Sequence, residues 1–228
     1  MQINDKRLDF ASRRTLLLGA ASLLLSGCAN SPSVFNALKA ARYTFSGLPD
    51  KPVTRKQVSN IPYATISAKI GRGPRSILVL DRKTKEDYHW ISADRAVIVT
   101  RNGRIVKTYG FPENIKQTQL SGADPVNRTL HELTTDRTSS RTIDTDSGNR
   151  FGLKVDSRFE LLGPREINIA EIDIKTVLVK EVNTSSTINW SFTNYYWVDA
   201  FDGFVWKSTQ HIARSFPPVD IEVLKPPV

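Results

Sequence analysis

The sequence predicts a mainly β protein, an antiparallel β-barrel or barrel-like sandwich with a short helix near its N-terminus. Three observations carry that prediction. Short runs rich in Ile, Val and aromatic residues recur from Tyr63 to Leu224. Many alternate apolar and polar side chains, the period of a strand with one buried face. Gly, Pro, Asn and Asp cluster between the runs, where turns need them.

Ahead of the β region the chain reads as an export and anchoring segment. Residues 1–27 hold Lys6, Arg7, Arg13 and Arg14, then an uncharged run from Leu16 to Leu25. That run is about half of the roughly 20 residues a membrane-spanning helix needs, so it fits the apolar core of a signal peptide. Leu25-Ser26-Gly27-Cys28 follows directly and resembles a bacterial lipobox, with small residues to enter a peptidase and a thiol to carry a diacylglyceryl group. Acyl chains on Cys28, at about 0.8 kcal/mol per buried CH₂, anchor the protein to a membrane without a spanning helix. Ser12-Arg13-Arg14-Thr15-Leu16-Leu17-Leu18 also resembles a twin-arginine export signal, although ordinary signals carry paired arginines too, so both routes stay open. Ala29 in place of Asp resembles the sorting pattern for the outer membrane, which makes the periplasmic face of that membrane the expected location.

Residues 28–52 form the anchored segment, in which Val34, Phe35, Leu38, Ala41 and Phe45 recur near helical spacing and predict a short amphipathic helix. Gly47-Leu48-Pro49 breaks it. Residues 53–228 then form one all-β domain. Thr54 is placed to cap one helical turn up to about Asn60, before Pro62 ends it. Strands are expected at Tyr63–Ile70, Ser76–Leu80, Tyr88–Ile91 and Ala96–Arg101. Asn102-Gly103 joins the last of these to Arg104–Tyr109 as a hairpin, because Asn and Gly best tolerate the positive φ of a type I′ turn. Phe111–Ser140 is polar with weak periodicity and reads as irregular. Phe151–Leu162 and Ile167–Val182 resume the alternation, and the apolar parity of the latter switches at Ala170, as a bulge or bend would make it. Ile188–Val198 and Phe204–Ile212 form a second hairpin around Ala200–Gly203. Ile221–Leu224 closes the chain as an edge strand.

Composition narrows the functions. The chain carries a formal charge of +9, with one cysteine and three histidines. The lone cysteine excludes a disulfide scaffold, and His89, His131 and His211 lie too far apart in sequence to suggest a metal site. Thirteen Lys/Arg against four Asp/Glu concentrate the positive charge in residues 51–107. An exported lipoprotein does not meet nucleic acid in its compartment, so an acidic envelope partner such as an anionic polysaccharide replaces that reading. Strand faces solvated by alternating charge are the simpler account. No nucleophile elbow or phosphate-binding loop is present, and no cofactor is implied. Asp144-Thr145-Asp146-Ser147-Gly148 lacks the glycine a calcium loop needs at its sixth position, Asn149, and reads as a hairpin tip.

The aromatic cluster between Trp190 and Trp206 is the most informative candidate. Trp190, Phe192, Tyr196 and Val198 share one strand parity and are expected in the core, leaving Tyr195 and Trp197 on the opposite face. Tyr195, Trp197 and Trp206 are the candidate contacts for a glycan or a protein partner, since flat exposed rings stack on sugars and anchor interfaces. A four-residue turn would set Trp206 opposite Trp197, and a two-residue turn would set Ser208 there.

Asn60-Ile61-Pro62-Tyr63-Ala64, Asn102-Gly103-Arg104-Ile105-Val106-Lys107-Thr108, Ala123-Asp124-Pro125, Tyr196-Trp197-Val198-Asp199, Gly203, Val205-Trp206-Lys207-Ser208 and Gln210 stand in that order behind the lipobox. From about Val53 to Lys225 this arrangement resembles the YjbF/GfcB lipoproteins of bacterial exopolysaccharide and group 4 capsule operons. The resemblance implies an exported lipoprotein with a barrel-like β fold, active in making or secreting surface polysaccharide beside an outer-membrane β-barrel protein of the same operon. It supplies no catalytic residues. The expected function is therefore a non-enzymatic accessory factor that binds a protein, a glycan or both. The alternatives are a polysaccharide-modifying enzyme with a carboxylate pair, or a purely structural envelope lipoprotein.

Overall fold

In the computed structural model, which describes residues 52–132, 137–146, 148 and 150–227, one short α-helix precedes twelve antiparallel strands. The export signal with Arg13 and Arg14, the lipidation residue Cys28 and the helix expected over Val34–Phe45 lie outside the described residues. Helix α1 (Arg55–Ser59) is set by a capping box: the Thr54 hydroxyl accepts from the Gln57 N–H at 3.3 Å, and Gln57 Oε1 accepts from the Thr54 N–H at 2.9 Å.

The strands are β1 (Thr65–Ile70), β2 (Arg75–Thr84), β3 (Asp87–Ser92), β4 (Val97–Arg101), β5 (Arg104–Tyr109), β6 (Ile115–Leu120), β7 (Arg137–Thr145), β8 (Arg150–Ile169), β9 (Ile172–Ser185), β10 (Trp190–Asp199), β11 (Val205–Gln210) and β12 (Val219–Lys225). Their order in the sheet is β5-β4-β3-β2-β1-β12-β11-β10-β9-β8-β7-β6. The two ends of this series meet through side chains: Ile115 N–H donates to Thr108 Oγ1 at 3.0 Å, and Thr118 Oγ1 donates to the Val106 carbonyl at 2.9 Å. The sheet is thus a nearly closed barrel, which leaves little open edge to aggregate.

Three local expectations are corrected. Ala170 does not mark a bulge: Ala170 and Glu171 both have positive φ, 49° and 66°, and turn the chain back so that Ile169 faces Ile172. The parity switch is a chain reversal, while the bulge of this hairpin lies near Leu161–Gly163. The stretch Phe111–Ser140 contains β6 and the start of β7, whose outward polar residues conceal the strand period. The terminal strand is no edge, since β12 pairs with both β1 and β11. Local pattern carries no information about that pairing between distant parts of the chain.

Antiparallel neighbours send alternate connections to opposite ends of the barrel. One end carries the β2–β3, β4–β5, β8–β9 and β10–β11 turns together with the β6–β7 connection. Part of that connection folds inward as a plug, with Val126 and Leu130 fully buried against Phe159, Val179, Tyr196 and Val198. A second cluster joins Ile66, Leu78, Trp90, Ile98 and Ile221, and a third joins Ile143, Leu153, Val155, Trp190 and Phe192.

Candidate functional site

The turn Asn102-Gly103 delivers Arg104 into the interior at the first position of β5. Gly103, at φ 90°, lies so close to β11 that a Cβ would stand 2.5 Å from Val205 Cβ. Arg104 is 1% exposed, and an unpaired charge there would be prohibitively costly. Two carboxylates meet it. Asp124, in the plug, accepts from Nε at 2.7 Å and from Nη2 at 2.9 Å, a bidentate pairing. Glu181, on the inward face of β9, lies 2.9 Å from Nη1.

Glu181 is the hub. Arg141 Nη1 also reaches it at 3.0 Å, Asn194 Nδ2 donates to Oε2 at 2.7 Å and the Tyr196 hydroxyl donates to the same oxygen at 3.0 Å. Burial pushes the Glu181 carboxyl up, but Arg104 and Arg141 outweigh it and hold it at about 2. Burial also raises the Tyr196 phenol well above its ordinary range. Gln210 completes the set: its amide donates to the Gly103 carbonyl at 2.7 Å and accepts from the Ile105 N–H at 2.9 Å. Every group is matched, so the network joins strands that are not ladder neighbours and fixes how the barrel closes.

Directly beside this network an aromatic cleft of ≈ 90 Å³ opens toward the plugged end. Tyr88, Phe204 and Trp206 are half-buried around it, and Ile66, Trp90 and Val223 line it more deeply. The Phe204 and Trp206 rings meet edge to face at 4.8 Å. At the rim stand Asn102, Asn127 and Arg128, the last with its guanidinium 4.9 Å from the Phe204 ring centroid. Asp199 orders the adjoining turn, accepting from Trp206 Nε1 at 2.9 Å and from the Phe201 N–H at 2.8 Å. Burial raises the Asp199 carboxyl, and these donors more than reverse it, leaving it below its usual range.

The expected aromatic contacts divide between the two faces of the wall. Tyr195 and Trp197 do sit together on the outer face, with ring centroids 6.4 Å apart. Lys207 Nζ lies 5.4 Å from the Trp197 centroid and donates to Glu222 at 2.8 Å. Trp206 is not part of that ledge. The turn spans the four residues between Asp199 and Phe204, yet a bulge shifts the register so that Trp197 faces Lys207 and Val198 faces Val205. The extra residue, Trp206, packs instead against the inner cluster of Ile66, Trp90 and Ile221. A bulge re-aims one side chain in this way.

Sequence reasoning assigned no site role to Arg104, Asp124, Arg141, Glu181, Asn194 or Gln210, although Arg104, Asp124 and Gln210 stand in the motifs that carry the family resemblance. On β9 the inward row is Val179, Glu181, Asn183 and Ser185, while Val182 is exposed, so hydrophobic parity misassigns the buried face. The available signal was Arg104, an arginine directly after a type I′ turn at the start of an apolar strand. Part of the basic excess of residues 51–107 is met by acids elsewhere in the chain, through Arg104 with Asp124 and Glu181 and through Arg75–Glu222 at 2.9 Å, while Arg101 pairs within the segment with Asp87 at 2.7 Å.

Comparison with known proteins agrees with this architecture. The family described as group 4 capsule polysaccharide lipoprotein gfcB, YjbF matches residues 38–224. The uncharacterized lipoprotein GfcB of Escherichia coli (strain K12) is 28% identical over 214 residues, covering 93% of this chain and 99% of that protein. The uncharacterized lipoprotein YjbF of the same organism is 24% identical over 205 residues, covering 89% and 93%. The crystal structure of the hypothetical lipoprotein YmcC from Escherichia coli (K12) superposes with a TM-score of 0.70 at 27% identity, covering 87% of this chain and 99% of that one.

Proposed function

The chain belongs to the YjbF family of group 4 capsule polysaccharide lipoproteins, and on that premise we propose that it is a lipid-anchored, non-enzymatic accessory factor in making or exporting a surface polysaccharide. Cys28 carries the anchor, on the periplasmic face of the outer membrane. The observation that carries the non-enzymatic part is the state of the central carboxylates. Glu181 is held ionised at about 2 and accepts from Arg104, Arg141, Asn194 and Tyr196, and Asp124 is clamped by Arg104, so both carboxylates are taken up in ion pairs and hydrogen bonds within the protein. The half-buried Tyr195–Trp197 ledge on the outer face offers an aromatic surface to a protein partner, for which an outer-membrane β-barrel of the same operon is the expected candidate.

The experiment is complementation of a deletion strain. Wild-type protein is expected to restore surface polysaccharide. Cys28→Ala, expressed to the same level, is expected to lose palmitate labelling and to restore little. Normal polysaccharide in the deletion strain overturns the role. Full restoration by Cys28→Ala overturns the requirement for the anchor.

A further inference from the structure

At the rim of the aromatic cleft Asn127 is used within the plug, donating to the Asp124 carbonyl at 2.7 Å and accepting from the Thr129 N–H at 2.8 Å, while Asn102 and Arg128 have exposed side chains. We propose that the cleft binds one pyranose residue of the surface polysaccharide, recognising the ring by its face and its hydroxyls rather than by charge. This rests on the role argued above and names the ligand class of the cleft beside the charge network.

The lining has the composition that sugar recognition requires. A pyranose has apolar C–H faces and a hydroxyl perimeter, so it is held by aromatic faces below and planar polar groups at the edge. Phe204, Trp206 and Tyr88 supply half-buried rings. Asn102 is exposed at the tip of the β4–β5 turn, beside the ring positions. Arg128 and Asp202 form an ion pair at 3.2 Å, both side chains 57% exposed. That pair presents a donor fork and an acceptor to neighbouring hydroxyls, and an exposed ion pair is cheap to rearrange.

Ion pairing at the rim sets the mode of recognition. Arg128 is paired with Asp202 at 3.2 Å, and Lys207, which also borders the cleft, shares Glu222 with Arg75, at 2.8 and 2.9 Å. From the basic stretch 51–107, Lys83 places its Nζ 5.1 Å from the centroid of the Tyr88 ring. The cleft, ≈ 90 Å³, is too small to enclose a pyranose, so the sugar lies across its mouth with one face against the aromatic lining and its hydroxyls at the rim.

The aromatic frame is also held rigid, which lowers the cost of binding. Asp199 fixes the Trp206 indole N–H at 2.9 Å, and Thr100 fixes that of Trp90 at 2.8 Å. Neither ring must be ordered by the ligand.

The test uses full-length lipidated protein in detergent, titrated with oligosaccharides from partial hydrolysis of the producing strain's own surface polysaccharide, with intrinsic tryptophan emission as the readout. Saturable change in emission is expected. Asn102→Gly keeps the positive-φ turn and removes the amide, and Arg128→Ala alters an exposed side chain, so both variants fold. Each is expected to weaken binding about three- to tenfold, the loss of a hydrogen bond or two. Raising salt from about 50 to about 500 mM is expected to change affinity less than about twofold, because screening acts on charge. No emission change up to about 10 mM sugar overturns the proposal, as does unchanged binding in both variants; a tenfold fall with salt overturns recognition by hydroxyls. The cellular arm separates this from the broader role. If the deletion strain loses polysaccharide and the double variant restores it fully, the cleft assignment is wrong and the role stands.

Discussion

Arg104 and Glu181 face each other across the interior of the barrel at 2.9 Å, with side chains 2% and 0% exposed. They come from β5 and β9, which share no ladder, so the contact joins opposite walls. Removing one member leaves the others charged and buried. Glu181→Ala leaves Arg141 buried without its carboxylate and Arg104 with Asp124 alone, and is expected to cost about 3–5 kcal/mol, measured as a fall in the urea midpoint with little change in slope. A loss below about 1 kcal/mol would mean that water enters and resolvates the guanidinium groups.

The plug and the β10–β11 turn are fitted to each other at Gly203. Its φ is 71°, and a Cβ there would stand 1.8 Å from the Arg128 carbonyl oxygen. Gly203→Ala therefore combines a left-handed backbone with a clash against main chain, and neither partner can rotate away. A cost of about 2–4 kcal/mol is expected in thermal or urea unfolding, with faster proteolysis in residues 121–132 as the plug lifts.

Legibility followed the range over which each feature is determined. Asn102-Gly103, the Thr54 cap and the inward row of β10 depend on neighbouring residues, and all three stand as the sequence predicts. The face of Trp206 depends on one inserted residue, which inverts parity without altering composition. The burial of Glu181 depends on Arg104 and Arg141, far away in the chain, so β9 looks polar where it is most buried. The β8–β9 turn was hidden because Ala170 and Glu171 are poor residues for the conformation they adopt.

That mismatch is itself a prediction. Replacing Ala170-Glu171 by Asn-Gly supplies residues suited to positive φ at both turn positions. The weak hydrogen bond from the Arg55 N–H to Glu171 Oε2, 3.4 Å, is the only described contact of the Glu171 side chain that is lost. The double variant is expected to gain about 1 kcal/mol, read as a rise in Tm of a few degrees. An unchanged or lower Tm would show that the strain is relieved elsewhere in the hairpin.

Trp197 and Trp206, so near in sequence, are expected to respond oppositely. Trp197 lies on the outer ledge with Lys207 over its ring, so Trp197→Ala should cost no more than about 1 kcal/mol. If the ledge docks a protein, the same change should reduce co-purification of an outer-membrane partner while leaving the urea midpoint in place. Trp206→Ala should instead cost about 2–3 kcal/mol, since its ring packs on the inner cluster and its N–H bonds Asp199. Equal costs would contradict the bulged register.

Acid should act through the same central carboxylate. The Glu181 carboxyl sits at about 2 in the folded protein against an ordinary value of 4.5, so the unfolded chain takes up its proton first as pH falls. Its contribution is complete above the ordinary value and is lost between there and about 2, amounting to about 3 kcal/mol. Other carboxylates held low, such as Asp199, steepen the total decline. Glu181→Gln isolates the central one. The wild type should be far more stable than the variant near neutral pH, and the gap should narrow as pH drops from about 4.5 toward 2, because protonation makes wild-type Glu181 neutral as well. Urea midpoints for both proteins across that window are the measurement. A gap that stayed constant with pH would mean that Glu181 contributes by its shape and hydrogen bonds and not by its charge.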